Sequence, residues 1–359
     1  MIRFLHAADL HLDSPFHALP PEQAAVRRQE QRLLLDELAE LCSLERCDLM
    51  LLSGDLFDAD AVRPDTFEAL CRSLRSCRAR VFIAPGNHDY DAPGSPYRRS
   101  GWPDNVHIFH SAAPEAVVLE DLGAAVWGAA FTAPVSPSLL EGFRVRDRRL
   151  QNLMVLHGDP ENANSPYNPV AARQIEGSGL DYLALGHLHT AGGLRRAGRT
   201  AYAWPGCPMG RGFDETGEKG VLLGTLSGEG CRVEFRPLPG RRYEILSVEA
   251  GTHPLEAIEA ALPPHTERDS YRILLTGQCP PPDVPGLYDA LSRRFFSLTI
   301  RDQTSRPREL WAARGEDTLK GLFLQALYDD PGRAEDPALY ELAAALGVAA
   351  MEGREVPEP

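Results

Sequence analysis

Short apolar runs alternate with polar clusters along the first two thirds of the chain. Ile2–His6, Leu49–Leu52, Val81–Ala84, Leu153–Leu156 and Tyr182–Leu185 are four or five residues long, and Gly, Pro, Asp or His follows each closely. That length and that punctuation predict buried strands. Between the first and third runs, Glu22–Cys42 and Thr66–Cys77 repeat apolar residues at helical spacing, as at Leu34, Leu38 and Leu41. Strands alternating with helices predict a layered α/β domain. A glycine-rich stretch, 202–226, ends in a further strand, Val221–Leu226, and Pro237 and Pro239 close the domain near Gly240.

Beyond that point the pattern changes. Tyr243–Val248, Tyr271–Thr276 and Phe296–Ile300 read as strands, with Pro254–Leu262 and Pro285–Arg294 as helices, so 241–309 is expected to form a small α+β unit with a stiff Gln278–Pro282 turn inside it. The tail, 310–359, carries two helical patterns. Leu319, Leu322, Phe323, Ala326 and Leu327 fall on one stripe, and Leu339–Met351 is rich in Ala and Leu but broken by Gly347.

Composition narrows the classes. The chain has 359 residues, 43% hydrophobic and 25% charged, which is ordinary globular usage. No apolar run reaches the roughly 18 residues of a membrane span, and Asp9 and His11 come too early for a signal peptide. Seven dispersed cysteines with no CxxC pair read as reduced thiols, so a cytoplasmic location is expected. The net charge of −14 excludes a globally basic nucleic-acid binder but leaves local patches open. Lysine occurs only at Lys219 and Lys320, so arginine supplies almost all positive charge.

Polar residues at the ends of the predicted strands carry the chemistry. They are Asp9-x-His11, Gly54-Asp55, Gly86-Asn87-His88-Asp89, His157 and Gly186-His187-Leu188-His189. Ligands of open α/β sheets sit at such carboxyl ends. Each piece alone also reads as a cap, a turn or a core histidine, as His6, His17, His107, His110, His253 and His265 do; five in order, each after a strand, read as one site. Mixed Asp, Asn and His donors suit Mn²⁺, Fe or Zn²⁺ better than Ca²⁺ or Mg²⁺. Asp9, His11, Asp55, Asn87, His157, His187 and His189 are too many for one ion with open positions and fit two ions sharing a carboxylate. The i, i+2 spacing of Asp9/His11 and of His187/His189 is expected to place each pair on one face of an extended segment. His88, next to the Asn, suits protonation of a leaving oxygen.

These motifs, in this order, resemble the calcineurin-like metallophosphoesterases. Ala8–Phe16, Gly54–Asp58, Asp181–His187, Trp204–Pro208, Glu218–Gly220 and Asp317–Phe323 extend the likeness to the SbcD-type DNA-repair exonucleases, most of all their YhaO-like branch. The resemblance implies an αββα sandwich over 1–240, a capping domain over 241–309 and a helical tail over 310–359 that binds an ATPase partner. It implies that Asp9, His11 and His189 hold one metal and Asn87, His157 and His187 the other, with Asp55 bridging. It makes His88 the acid or transition-state stabiliser and Asp58 an orienting residue. Two divalent ions, Mn²⁺ by preference, are the implied cofactors. DNA and an SbcC-like, SMC-like coiled-coil ATPase are the implied partners. A homodimer is implied by typical relatives, although Tyr90–Pro96 is too proline-rich for the helix that helps build it there.

DNA phosphates would call for arginine clusters. Candidates are Arg98 and Arg99, the group Arg144, Arg146, Arg148 and Arg149, and Arg195, Arg196 and Arg199, with Tyr97 and Trp102 as candidate base-stacking rings. The expected function is a metal-dependent phosphodiesterase acting on DNA, an exonuclease subunit of a repair complex. Two alternatives stay open: the same chemistry on cyclic nucleotides, nucleotides or phosphoproteins, and a non-catalytic metal-binding scaffold.

Overall fold

The computed structural model describes residues 1–58, 62–305 and 310–353. The ends of the expected second and third segments, 306–309 and 354–359, lie outside the described residues. Contacts divide the chain into two compact units. One is Met1–Ile245 with His265–Arg272 and Ser292–Leu298; the other is Leu246–Pro264 with Ile273–Leu291 and Thr299–Pro359.

The first unit is built on two six-stranded sheets. β1 (Ile2–Ala7), β2 (Leu49–Leu52), β3 (Arg80–Ile83) and β4 (Val106–Ile108) run parallel, and α1 (Pro21–Leu44) and α2 (Pro64–Ser76) make the first two crossovers. β5 (Glu115–Leu119), β6 (Ala124–Gly128), β7 (Gln151–His157), β8 (Tyr182–Gly186), β9 (Arg195–Ala197) and β10 (Thr200–Ala203) build the second sheet, in the order β5-β6-β7-β8-β10-β9, and α3 (Ala172–Ser178) connects β7 to β8. The hairpin of β11 (Gly220–Ser227) and β12 (Gly230–Pro237) then returns to complete the first, in the order β12-β11-β1-β2-β3-β4.

Strand alternation sets the layers. Ile2, Phe4, Leu49, Leu51 and Phe82 point into a core shared with Val126, Leu153, Val155 and Tyr182 of the facing sheet. Their neighbours Leu5, Ala7, Met50, Leu52, Val81 and Ile83 point the other way, onto Leu34, Leu35 and Leu38 of α1 and Leu70 and Leu74 of α2. Met154, Leu156, Leu183 and Leu185 meet Leu139, Leu140 and Ile175 on the far side of the second sheet. Runs apolar at every position, unlike the alternation of a half-exposed strand, follow from burial on both faces. The result is the expected αββα sandwich.

β13 (Tyr243–Glu249), β14 (Ser270–Thr276) and β15 (Ser297–Asp302) form a third sheet, in the order β13-β14-β15; α4 (Pro254–Ala261) and α5 (Val284–Leu291) follow β13 and β14 in sequence. In the second unit, α6 (Leu319–Asp329) and α7 (Pro337–Met351) pack through Leu324, Ala344 and Val348. Thr318 and Asp336 cap their N-termini through side-chain oxygens. Gly347 lets the Phe323 ring lie against α7, where a Cβ would overlap it.

One buried polar residue ties the sheets together. His6 is fully buried; its Nδ1 lies 2.9 Å from the Tyr182 hydroxyl and its Nε2 2.9 Å from the Leu185 carbonyl. The carbonyl can only accept, so Nε2 carries the proton and Nδ1 accepts from Tyr182. Burial lowers its pKa to about 3, from 6.5, against the opposing pull of the Leu185 carbonyl. A lowered folded pKa means that the stabilisation is complete above 6.5 and is lost as pH falls toward about 3. Between pH 7 and pH 5 the wild type should lose about 2 kcal/mol more than a His6→Asn variant. Urea unfolding midpoints at the two pH values check this, and equal losses would refute it.

Candidate metal centre

Every candidate ligand comes from the carboxyl end of a central strand. Asp9 and His11 follow β1, Asp55 follows β2, and Asn87 and His88 follow β3. His157 is the last residue of β7, and His187 and His189 follow β8. The first two loops are zipped together: the Asp9, His11 and Leu12 amides donate to the Gly54, Asp55 and Leu56 carbonyls at 2.8–3.0 Å.

The backbone there is not extended, which corrects the expectation for Asp9/His11 and His187/His189. Asp9, His11, Asp55 and His187 have φ of 56°, 44°, 50° and 99°. Non-glycine residues visit that region rarely and at a cost that surrounding structure must offset. Inter-loop hydrogen bonds supply the offset, and the coiled path turns side chains two residues apart inward. Gly86 is required for the approach of the next loop, since a Cβ on it would run into the Asp55 carboxylate.

Asp89 holds the third loop. Its buried carboxylate accepts from the amides of Leu56 (2.7 Å), Phe57 (3.1 Å) and Gly86 (2.8 Å) and from the Tyr97 hydroxyl (2.5 Å). The loops bearing Asp55, Asn87 and His88 therefore share one acceptor.

Within this frame the donors converge. Ligand atoms of Asp9, His11 and His189 lie within 4.8 Å of one another, as do those of Asp9, Asp55 and His157 and those of His11, Asp58 and His88. Asn87 joins through its Oδ1, 2.9 Å from His157 Nε2. His187 stacks edge-on to the His157 ring at 5.3 Å and donates its amide to Asp9. All seven ligands expected from the sequence are thus brought to one place. His88 stands at the rim, its side chain 46% exposed and its ring 4.9 Å from that of His11.

Ring nitrogens show what this donor set fits. His11 Nδ1 bonds Asp58 at 3.1 Å and so carries a proton; His189 Nδ1 has Glu215 at 2.7 Å and Arg211 Nη2 at 3.2 Å beside it, and the nearer carboxylate favours a proton there too. Their Nε2 atoms then confront each other, lone pair to lone pair, at 3.2 Å. His157 Nδ1 donates to the Ser53 carbonyl, and its Nε2 faces the oxygens of Asn87 and Asp55 (3.4 Å). Acceptors turned on one another, as the His11 and His189 Nε2 atoms are, are satisfied by a cation, and mixed N and O donors suit divalent transition ions.

Charge has the same pattern. Burial opposes ionisation of Asp55, but His157, His11 and His88 outweigh it and hold the carboxyl well below its usual range. Burial also disfavours the His157 imidazolium, yet Asp55 pushes it up to about 9. Burial, reinforced by the His157 charge, lowers His187 to about 4. It lowers His88 as well, against the pull of Asp55.

Asp58 lies 3.1 Å from His11, 3.7 Å from His88 Nδ1 and 3.3 Å from Arg211, so it orients the ligand more directly than the rim histidine. Nothing in the local sequence marks Arg211 or Glu215 as functional. Arg211-Gly-Phe-Asp-Glu215 looks like a solvated charged turn, but Glu215 is only 3% exposed.

The arginine candidates separate. Arg98 clasps Asp91 with two hydrogen bonds (2.8 and 2.7 Å), Arg149 clasps Asp147 likewise, and Arg99 bonds the Val62 carbonyl. Arg195 and Arg199 pair with Glu161 and Asp181. Arg144, Arg146 and Arg148 are exposed. Tyr97 is buried against Asp89, and the Trp102 indole donates to the Pro96 carbonyl, so both rings anchor the loop instead of offering a free face to a base.

Comparison with known proteins agrees with this geometry. Residues 2–191 match the calcineurin-like phosphoesterase family. The metallophosphoesterase YhaO of Bacillus subtilis, itself described as uncharacterized, is 33% identical over 272 residues, 71% of this chain and 64% of YhaO. The chain thus spans somewhat less than two thirds of that relative. The SbcD component of the nuclease SbcCD of Rhodobacter capsulatus is 27% identical, covering 85% of this chain and 89% of its own length. The DNA double-strand break repair protein Mre11 of Saccharolobus solfataricus is 24% identical over 58% of this chain and 55% of its own length. With the family matched over more than half the chain and the candidate metal donors gathered at the strand ends, the chain belongs to the calcineurin-like phosphoesterases, hydrolases of phosphoesters that use two divalent metal ions.

Proposed function

We propose that the chain is a Mn²⁺-dependent phosphodiesterase acting on DNA, an exonuclease subunit working beside an SbcC-like coiled-coil ATPase in the cytoplasm. The observation that carries this reading is the convergence of seven donors, four of them buried and three half-buried, beside a half-exposed histidine, His88. Asp9, His11 and His189 would hold one ion, Asn87, His157 and His187 the other, and Asp55 both. When bound, two such ions clamp a phosphoryl group and lower the pKa of an attacking water. His88 would supply a proton to the leaving oxygen. Asp58, through His11, keeps that corner of the site in place.

The names of the SbcCD and Mre11 relatives support DNA as substrate. Exposed Arg144, Arg146 and Arg148 are the arginines with room to meet phosphates; Arg98, Arg99 and Arg149 would first have to leave their partners. In the tail, Leu319, Leu322, Leu339 and Leu342 are 43–75% exposed on α6 and α7, an apolar surface suited to a coiled coil. We assign 241–309 as the capping domain and 310–359 as the ATPase-binding tail. No helix among the described residues is long and apolar enough to cross a membrane, and all seven cysteines are free, as in a reducing compartment.

The test is degradation of end-labelled double-stranded DNA in Mn²⁺, beside a generic aryl phosphodiester. Wild type should release the label, and His88→Ala should be slower by roughly 10²–10⁴-fold, the usual contribution of a general acid. Cleavage of the aryl ester with DNA left intact would replace the DNA reading with a small phosphoester substrate. Bound metal with neither substrate cleaved would leave the scaffold alternative.

A further inference from the structure

Two histidines proposed as ligands on one side of the centre are braced by a partly buried charged relay, and two of its residues lie outside the strand-end motifs. Glu215 Oε1 lies 2.7 Å from His189 Nδ1, nearer than Arg211 Nη2 at 3.2 Å from the same nitrogen. Arg211 grips the same carboxylate with its side chain at 2.7 Å and its own amide at 2.7 Å, and its other terminal nitrogen reaches Asp58 at 3.3 Å. Asp58 in turn takes His11 Nδ1 at 3.1 Å. The chain of contacts runs His189–Glu215–Arg211–Asp58–His11. Both ends are ligands proposed for the same ion.

We propose that Glu215 and Arg211 are positioning residues that set the tautomer and orientation of His189 and His11, and thereby the affinity of one of the two metal positions. The inference rests on the reading of Asp9, His11 and His189 as a metal-holding set. Its physical basis is that an imidazole ligates through one nitrogen only when the proton sits on the other, and a carboxylate at Nδ1 holds it there. Glu215 does this for His189 and Asp58 for His11. Arg211 lies between the two carboxylates, so their charges do not repel, and one cation keeps both aimed. A carboxylate this well buried, with a side chain 2% exposed, is costly unless its partners are fixed. Here those partners are a ligand histidine and the arginine that braces the opposite ligand. The loop contributing both residues, 211–215, lies outside the matched family segment, 2–191.

Mn²⁺ titration of the full chain by calorimetry tests this, with urea unfolding of the metal-free protein alongside. Wild type should bind two ions. Glu215→Ala should weaken one of them by about 10–100-fold and leave the other within a few-fold, the usual cost of losing such a partner. Glu215→Gln keeps the shape and an oxygen for the His189 Nδ1–H, so it should recover affinity toward the wild-type value. That rescue separates positioning of the ring from mere filling of the loop. Unchanged Mn²⁺ binding in Glu215→Ala overturns the inference while leaving the metal centre standing. Equal weakening of both ions, in step with a lower urea midpoint and with no rescue by Gln, also overturns it, because the role is then structural. A wild type that binds no Mn²⁺ overturns the metal-centre reading and this inference with it.

Discussion

Asp55→Asn is expected to lower phosphoester hydrolysis by about 10³-fold or more and to reduce bound Mn²⁺ from two ions per chain to one or fewer. Asp55 sits between the two halves of the centre, 3.4 Å from His157 Nε2 and 3.8 Å from His11 Nε2. The amide keeps the size and still offers Oδ1 to the His88 N–H, now 3.0 Å away, so the loop should survive. What is lost is the negative charge facing both sets of histidines. A bridging carboxylate supports metal ions that contribute several kcal/mol to the transition state, and each increment of about 1.36 kcal/mol is a tenfold change in rate. Metal content by mass spectrometry and turnover of an aryl phosphodiester measure the two effects. Full activity with two ions bound would remove Asp55 from the bridging role.

The largest effect on stability is expected at Asp89, which needs no contact with metal or substrate. Asp89→Ala should destabilise the fold by roughly 3 kcal/mol or more. Three buried backbone amides, of Leu56, Phe57 and Gly86, and the Tyr97 hydroxyl would lose their shared acceptor, and each stranded buried donor costs about 1–3 kcal/mol. Asp89→Asn should be milder, since one oxygen remains to accept, but its NH₂ must then face a donor. Chemical denaturation of the metal-free protein is the clean measurement, because bound ions would add stability of their own. A loss below about 1 kcal/mol for the alanine variant would show that the loops bearing Asp55 and His88 hold their shape without this anchor.

Much of the centre was legible from residue order. Four- or five-residue apolar runs ending in Asp, Asn or His mark buried strands whose carboxyl ends must emerge on one side, so residue order alone groups the seven ligands. The helices α1 and α2 follow from their apolar stripes, and α6 and α7 lie where the tail periodicity puts them. Less was visible where a pattern is short or its partner is distant. β5, at the edge of the second sheet beside β6, is apolar at four of its five positions yet mostly exposed, and no polar cluster of candidate ligands follows it to single it out. The left-handed turns at Asp9, His11, Asp55 and His187 are imposed by hydrogen bonds between loops far apart in sequence, and spacing alone suggests extended chain.

The arginines make the same point from the other direction. Sequence density singles out 98–99 and 144–149, but whether a guanidinium is available depends on the acid folded against it. Asp91 and Asp147 occupy Arg98 and Arg149, while Arg144, Arg146 and Arg148 remain exposed. Glu215 and Arg211, inconspicuous in a glycine-rich loop, stand behind two of the candidate ligand histidines.

The sequence by itself determined the layered α/β class and singled out seven candidate donors, with His88 beside them, at the strand ends, because hydrophobic periodicity and donor chemistry are local properties written along the chain. The tertiary structure alone decided which nitrogen each histidine turns inward, which carboxylates brace them and which arginines stay exposed. Those depend on contacts such as the one at 3.2 Å between His11 and His189, 178 positions apart, and no local pattern encodes such distances.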